Sequence, residues 1–386
     1  MTRPFTVTVD ARVVFDEERR GIAKTTIALY RIMTILRPNW RFRFFYKEGV
    51  NDNPFADLPN ISAERIRIKG DRYELWPRVR LPVANLIARP DIFHAPAGPA
   101  PWVTFAPMVV TIHDLIPLET GRNDPDTMAW IANVRRAAQR SRLILAVSEH
   151  VKERIVQHFG VAPEKIRVIH WGPINGTATP LTPDCQWQLR ERFAVPTSNR
   201  YVLHFGMADP RKNTARLIAA WSQLPGEIRR DVSLVIVGVA PAGRDSFRQQ
   251  VIQHNLEASV GIHGYVSDDD VAALLAGATV LAYPTQSEGF GLPILDAFAA
   301  GVPVLTGNQT SLPEVAGDAA VLVDPTNTGS ITDGLQYLLT DTEFCRHLIQ
   351  NGRDRLKRFD WHTTAEHVAT VFEEVARGCR GMIGEP

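Results

Sequence analysis

Residues 287–305 read SEGFGLPILDAFAAGVPVL, where two carboxylates, Glu288 and Asp296, flank a loop of two glycines, an aromatic residue and a proline. An apolar run ends at Tyr283-Pro284 just before this loop, and ILDAFAA just after it is helical in character. Gly289 and Gly291 allow unusual backbone angles and close approach. Pro293 suits a helix start, because its missing N–H would have no partner there. The amides of Gly289, Phe290, Gly291 and Leu292 then cluster at a helix N-terminus, which favours phosphate. Glu288 falls at a strand end, and a carboxylate there can accept paired hydrogen bonds from vicinal hydroxyls. Asp296, read as lying in the first turn after Pro293, also suits the helix dipole with no ligand at all. Together these groups fit a ligand with a diol, a diphosphate and a further polyol.

A diphosphate calls for positive charge. HFGMADPRKNTARLIAAW (204–221) supplies Arg211 and Lys212 on a loop directly after a strand, with Asn213 and Thr214 placed to cap the next helix. The plain alternative is a solvent-exposed basic pair. VTIHDLIP (110–117) puts His113 at another strand end, where it can hydrogen-bond a sugar or reactant, although a lone histidine is usually structural. ERRGIAKTT (18–26) follows the first strand, so Gly21 and the amides after it can approach the same phosphate. Asp268-Asp269-Asp270 superficially offers a DxD metal pattern. Ser267 ahead of it and VAALLAGA behind it read instead as an N-cap with acids in the first turn, and no metal site is expected. Asp124-Pro-Asp126 reads as a loop.

Positioning such residues takes strands that end together. Short apolar runs alternate with helical segments throughout: 5–11, 41–46, 91–95, 108–114, 142–148 and 165–172, then 201–207, 233–239, 260–266, 278–284, 302–307 and 319–325. Alternation of this kind predicts parallel sheets with helices on both faces. A Pro/Thr/Gly-rich stretch at 172–184 reads as a linker, which gives one domain over 1–175 and another over 176–360. Segment 361–376 is helical and closes the chain. Two such domains imply a cleft lined by the carboxyl ends of their strands.

The 386 residues suit two domains, and a formal net charge of +1 gives no reason to expect nucleic acid. Basic clusters at 72–89 and 133–142 read as solvated helix faces, with contact to anionic membrane lipid as the alternative. No apolar run has the length, about 18 residues, that a membrane span needs. Cys185, Cys345 and Cys379 form no metal or disulfide pattern, so the expectation is a cytoplasmic protein with reduced thiols, either free or peripheral at the inner face of the membrane.

RRGIAKTT, IHDLIP, ILAVSEHVKERI, EKIRVIHWG, FGMADPRKN, GYVSDDDVAALLAGATVLAYPTQSEGFGLPILDAFAAGVPVL and SLPEVAGDAAVLVDP together resemble the GT-B-fold retaining glycosyltransferases of family 4, which include bacterial mannosyltransferases. The resemblance runs over nearly the whole chain. It implies two Rossmann-like doubly wound domains facing across a cleft, with the last helix crossing back to the first. Glu288 would contact the hydroxyls of the transferred sugar. Gly289, Phe290, Gly291 and Leu292 would present amides to sugar and phosphate. Arg211 and Lys212 would neutralise the departing diphosphate, Val266 would lie near the base, and His113 would bond the donor sugar near the reacting carbon. Asp296 stands where the family's second glutamate binds the ribose diol, one methylene short. Ala23 replaces a glycine of the first-domain loop, and Lys24 beside it can supply charge in place of amide contacts. Trp171-Gly172-Pro173 also departs from the family pattern.

The resemblance implies hexose transfer with retention from a nucleotide-diphosphate sugar, GDP-mannose being the first expectation, to a saccharide or polyprenyl-diphosphate-linked acceptor. No cofactor beyond the donor is expected. UDP-glucose, dTDP-rhamnose and GDP-fucose remain as alternative donors. A GT-B epimerase or phosphorylase and a non-catalytic sugar-nucleotide-binding protein are alternative functions. A dinucleotide oxidoreductase is disfavoured, since no GxGxxG follows the first strand.

Overall fold

The computed structural model describes residues 3–16, 18–47, 52–66, 75–175, 189, 191–193 and 200–382. The chain divides into two compact units, residues 1–171 with 360–386, and 172–359. The stretch read as a linker lies outside the described residues beyond Asn175, as does Cys185.

Among the described residues the first unit holds seven parallel strands: β1 (Thr6–Asp10), β2 (Arg41–Tyr46), β3 (Ile61–Arg65), β4 (Ile92–Ala95), β5 (Met108–Ile112), β6 (Leu143–Ala146) and β7 (Ile166–Val168). Their order is β3-β2-β1-β4-β5-β6-β7. Strands β1, β4 and β5 are buried along their whole length, as a parallel sheet covered on both faces requires. Strand β3 has no counterpart in the sequence reading. ISAER is polar and partly exposed, because it lies at the sheet edge and has only one neighbouring strand.

Helix Trp361–Met382 belongs to this first unit and packs along helix Gly21–Leu36. Arg37 reaches it with bonds to Glu366 (2.8 Å) and Glu373 (3.2 Å). Its apolar face is buried through Val368 and Phe372, and Phe372 lies against His94. The chain leaves and re-enters the unit at neighbouring points: Trp171 stacks on Trp361 at 5.7 Å, and the Thr364 hydroxyl donates to His170 O at 2.7 Å. The unit boundary therefore falls at residue 171, four residues before the boundary read from sequence.

Among the described residues the second unit holds six parallel strands: β8 (Arg200–Phe205), β9 (Val232–Val237), β10 (Val260–Ile262), β11 (Val280–Tyr283), β12 (Val304–Gly307) and β13 (Ala320–Val323). Their order is β10-β9-β8-β11-β12-β13. The order reverses between β8 and β11, so the loops after these two strands diverge from a shared crevice, the usual ligand position in an open α/β sheet. Aliphatic residues from β8, β9, β11, β12, β13 and their covering helices, together with the fully buried Trp221, fill the core. Gly206, at the end of β8, is fixed by packing, since a Cβ there would meet Ile236 Cγ2 at 2.5 Å.

Asp124-Pro-Asp126 is the start of helix Pro125–Arg140 and not a loop: the Asp124 carboxylate accepts from Thr127 N, and Pro125 occupies the first turn. Asp268–Asp270 forms the first turn of a helix closed by a capping box between Ser267 and Asp270, and Asp270 also pairs with Arg192 at 2.7 Å.

Two buried histidines couple the fold to pH. His94 bonds Tyr30 and Thr111, and burial, aided by nearby His113, pushes its pKa down to about 3. His204 donates from Nδ1 to Ala282 O and bonds Thr214, and burial holds its pKa down at about 4. Both are neutral in the folded chain, while unfolded histidines take a proton near pH 6.5. The unfolded state thus binds more protons between about 6.5 and about 4, and stability is lost as pH falls through that window. The loss is at most about 1.4 kcal/mol per histidine per pH unit. The urea midpoint should therefore drop clearly from pH 7 to pH 5, and equal midpoints would contradict this account.

Candidate active site

The loop after β8 and the loop after β11 meet at the switch point of the second unit. Asp209 begins a short 3-10 turn, Pro210–Lys212, by accepting from Arg211 N. That turn brings Arg211 and Lys212 to Glu288. Lys212 Nζ lies 2.6 Å from Glu288 Oε1, and Arg211 Nη1 lies 3.2 Å from Oε2. The Tyr283 hydroxyl donates to Oε1 at 2.7 Å and accepts from Lys212 at 3.0 Å. The Glu288 side chain is only 12% exposed. Burial alone would raise its pKa, but the charges of Lys212 and Arg211, with hydrogen bonds from Lys212 and Tyr283, bring it below the ordinary glutamate value. Burial and Glu288 together push the Tyr283 hydroxyl well above its usual pKa, so it remains a donor.

Donor and acceptor counts show what is left for a ligand. Lys212 carries three N–H groups and spends two on Glu288 and Tyr283. Arg211 spends Nε on Asp209 and Nη1 on Ser287 O and Glu288, so its Nη2 group has no bond among the described residues. Glu288 Oε2 accepts from Arg211 and has capacity for one more donor such as a hydroxyl. Thr285 Oγ1 and Ser287 Oγ, in the loop between β11 and Glu288, are buried hydroxyls without a hydrogen-bond partner among the described residues.

The loop is held from several sides. Asn213 adopts a left-handed φ of 64°, and its amide donates to Pro284 O (2.9 Å) and Pro325 O (2.6 Å) instead of capping the next helix as the sequence suggested. Thr310 is also left-handed, at φ 58°, and its hydroxyl accepts from Glu288 N. Such a conformation costs on the order of 1–3 kcal/mol in a β-branched residue and persists only where neighbours enforce it. Ser311 donates to Glu288 O and Phe290 O, both at 2.9 Å.

Gly291, at φ 117°, begins helix Leu292–Ala300, and a Cβ there would press on Ile294 and Leu312 at 3.2 Å. No side chain caps this helix; Pro293 has no N–H and Ile294 N bonds Gly291 O at 3.0 Å, so Leu292 supplies the leading amide of the helix. Phe290 is buried and meets Phe359 edge-on. Gly289 joins Glu288 to this turn. Val266 is buried after β10 at the same sheet end, where the preceding residues His263 and Gly264 accept from Val239 N and Gly238 N.

Asp296 differs from its sequence reading. The helix begins at Leu292, so Asp296 falls in the second turn and does not serve the helix dipole as a first-turn acid. It is buried, and its Oδ1 accepts from Ile174 N (2.6 Å) and Asn175 N (3.0 Å), while Oδ2 accepts from Asn175 Nδ2 (2.9 Å). The carboxylate thus anchors the first residues of the second unit to the helix behind the glycine loop.

In the first unit, His113 follows β5. Its Nε2 contacts Pro96 O at 2.8 Å, and because a carbonyl only accepts, Nε2 carries the proton and Nδ1 is the acceptor. Burial pushes its pKa down to about 4, so the ring is neutral. Trp171 stacks on it at 5.9 Å. Helix Gly21–Leu36 starts at Gly21, and Lys24 N already bonds Arg20 O, so Gly21, Ile22 and Ala23 supply the leading amides. The structure brings Arg211, Lys212, Glu288 and Gly291 together in one unit and places His113, Gly21 and Lys24 in the other. Tyr283, Asp209, Thr310 and Trp171 were not read as site residues. Tyr283 could have been found as the one aromatic hydroxyl ending an aliphatic strand five residues before Glu288.

A sequence model described as Glycosyl transferases group 1 matches residues 186–355, and one described as Glycosyltransferase Family 4 matches residues 33–172. The chain is 29% identical over 267 residues to O-antigen chain mannosyltransferase B of Escherichia coli, covering 69% of this chain and 70% of that one. It is 30% identical over 285 residues to the serotype-specific mannosyltransferase WbdA of Escherichia coli, covering 71% of this chain but spanning only 34% of that longer relative. Among solved structures, Anabaena Alr3699/HepE in complex with UDP and glucose superposes with a TM-score of 0.75 at 20% identity, covering 96% of this chain and all of that one.

Asp296→Ala should lower the urea midpoint by the cost of unpaired buried amides, about 1–3 kcal/mol. Asp296→Glu should also destabilise, since the added methylene must enter a packed site. A glutamate variant as stable as the parent would show that residues 174–175 are not held by the length of the aspartate.

Proposed function

This chain belongs to the GT-B glycosyltransferases of family 4 and is a hexosyltransferase, and from that premise we propose that it moves mannose from GDP-mannose to a saccharide or lipid-linked saccharide acceptor, with retention, in cytoplasmic glycan assembly. The observation that carries the reading is the buried Glu288 held between Lys212, Arg211 and Tyr283 beside the uncapped helix at Leu292. Mannosyl transfer is favoured over other hexoses by the mannosyltransferases among the relatives.

In this reading the diphosphate lies against the leading helix amide, the third N–H of Lys212 and the Nη2 group of Arg211. Negative charge grows on the leaving phosphate as the glycosidic bond breaks, and fixed donors stabilise that charge more than they stabilise the bound substrate. Glu288 Oε2 accepts from a hydroxyl of the transferred sugar. Two adjacent cations make Glu288 a weak base and a poor nucleophile, so the acceptor attacks the oxocarbenium-like sugar on the face the phosphate leaves, and the phosphate takes the acceptor's proton. His113 accepts at Nδ1 from the donor sugar, and the backbone near Val266 contacts the base. The resemblance to the family also assigns phosphate contacts to Gly21 and Lys24. The cationic pair supplies the charge a divalent metal would otherwise bring, and Asp270 of the aspartates at 268–270 is occupied by the capping box with Ser267 and by Arg192.

Glu288→Gln keeps the side chain's volume but removes its charge. It should lower kcat/KM by at least about a hundredfold, or 2.7 kcal/mol, with circular dichroism unchanged. Near-normal transfer by this variant would remove Glu288 from the mechanism. In a thermal-shift and transfer panel of GDP-mannose, UDP-glucose, dTDP-rhamnose and GDP-fucose, only GDP-mannose should support transfer, and productive transfer from another donor would reassign the sugar. EDTA should leave the rate intact, whereas a collapse reversed by Mn²⁺ would require a metal.

A further inference from the structure

The first unit carries a surface that the transfer reading leaves unused. Eight of the fifteen exposed large hydrophobic side chains among the described residues fall between residues 75 and 105, so they form a concentration and not a scatter. Val79, Val83 and Ile87 recur at helical spacing along the turns 76–88, and Ile87 is 72% exposed. The opposite face of the same segment is buried through Trp76, Leu81 and Asn85, so the outward stripe is not this segment's contribution to the core. A second apolar strip, Trp102, Val103 and Phe105, lies on the loop between β4 and β5, with Phe105 58% exposed.

The two strips are joined through Trp102. Its N–H donates to Pro77 O at 3.0 Å, and the guanidinium of Arg78 lies 4.4 Å from its ring centroid. Arg136, from helix Pro125–Arg140, lies 4.2 Å from the same ring, and Arg140 donates to Trp102 O at 2.9 Å. Arg80 and Arg89 are also exposed on the helical strip. Between residues 75 and 113 the sequence has one acid, Asp91, and that is buried and paired with Arg3. The patch therefore combines protruding aliphatic and aromatic side chains with arginines, and its two strips expose no carboxylate of their own.

We propose that this face docks on an anionic lipid bilayer, with Ile87, Trp102 and Phe105 entering the headgroup region and the arginines lying at the phosphate level. A tryptophan flanked by guanidiniums suits the membrane–water interface, where apolar insertion and attraction to anionic lipid act together. A second copy of the chain is the less favourable occupant, because self-association would bring like-charged arginines face to face. The proposal goes beyond the transfer reading and depends on neither donor nor acceptor.

The full chain is to be sedimented with vesicles of about half phosphatidylglycerol in phosphatidylcholine, and with pure phosphatidylcholine vesicles. The wild type should pellet with the anionic vesicles at least tenfold better than with the neutral ones, and raising NaCl to about 0.5 M should weaken this. The Ile87→Ser/Phe105→Ser double variant alters exposed side chains only. It should lose at least tenfold in vesicle affinity while keeping the wild-type circular dichroism and thermal midpoint. Wild-type protein that stays in the supernatant with anionic vesicles, or a double variant that binds as well as the wild type, overturns the proposal. A concentration-dependent dimer, seen by sedimentation velocity and dissolved by the same substitutions, would also overturn it and assign the face to a second copy. Because no donor is present, failure here is separable from failure of the transfer reading.

Discussion

A carboxylate can be buried only if its charge is answered, and at Glu288 that requirement organises much of the second unit. The answer comes from Lys212 and Arg211, on the loop after β8, and from the hydroxyl of Tyr283 at the end of β11. For these groups to converge, β8 and β11 must be neighbours although β9 and β10 lie between them in the chain. The crossover that makes them adjacent also opens the crevice at their ends. Asn213, Thr310 and Ser311 then hold the loops at this distance, two of them in backbone conformations that isolated chains avoid. The charge cluster and the strain around it are thus parts of one arrangement.

The same accounting separates the two acids that flank the glycine loop. Glu288 faces cations and retains acceptor capacity, which gives it a place in binding. Asp296 faces backbone amides of Ile174 and Asn175 and serves the entry of the chain into the second unit. Identical chemistry at the carboxylate leads to different roles because the partners differ. A longer side chain at 296 would have to move either the helix Leu292–Ala300 or the segment it holds.

The first unit solves a different problem. Its last helix comes from the far end of the chain, and it is fixed by Arg37 to Glu366 and Glu373, by Thr364 to His170, and by the stack of Trp171 on Trp361. Trp171 lies next to His113 as well, so the residue that departs from the family pattern at 171 packs against the ring expected to meet the sugar. Outside this core the unit presents apolar residues beside arginine along 76–105, where most protein surfaces would place mixed charges.

The sequence by itself determined the alternation of strand and helix, hence the parallel sheets, and the local chemistry of each loop. Gly291 before Leu292-Pro293 specifies a turn into a helix, and Ser267 with Asp270 specifies a capped start, because these depend on residues within a few positions of one another. It could not decide what a side chain meets across the fold. That Lys212 and Tyr283 both reach Glu288 and that Asp296 is spent on Ile174 and Asn175 were decided by tertiary placement, whereas the Asp124 cap on Thr127 is as local as the one at Ser267. The first two bring together residues 76 and 121 positions apart, and separation of that size leaves no periodicity to read. The exposed stripe at Val79, Val83 and Ile87 has the spacing of a core-facing helix, and only the packed structure shows that its inward face is already filled by Trp76, Leu81 and Asn85.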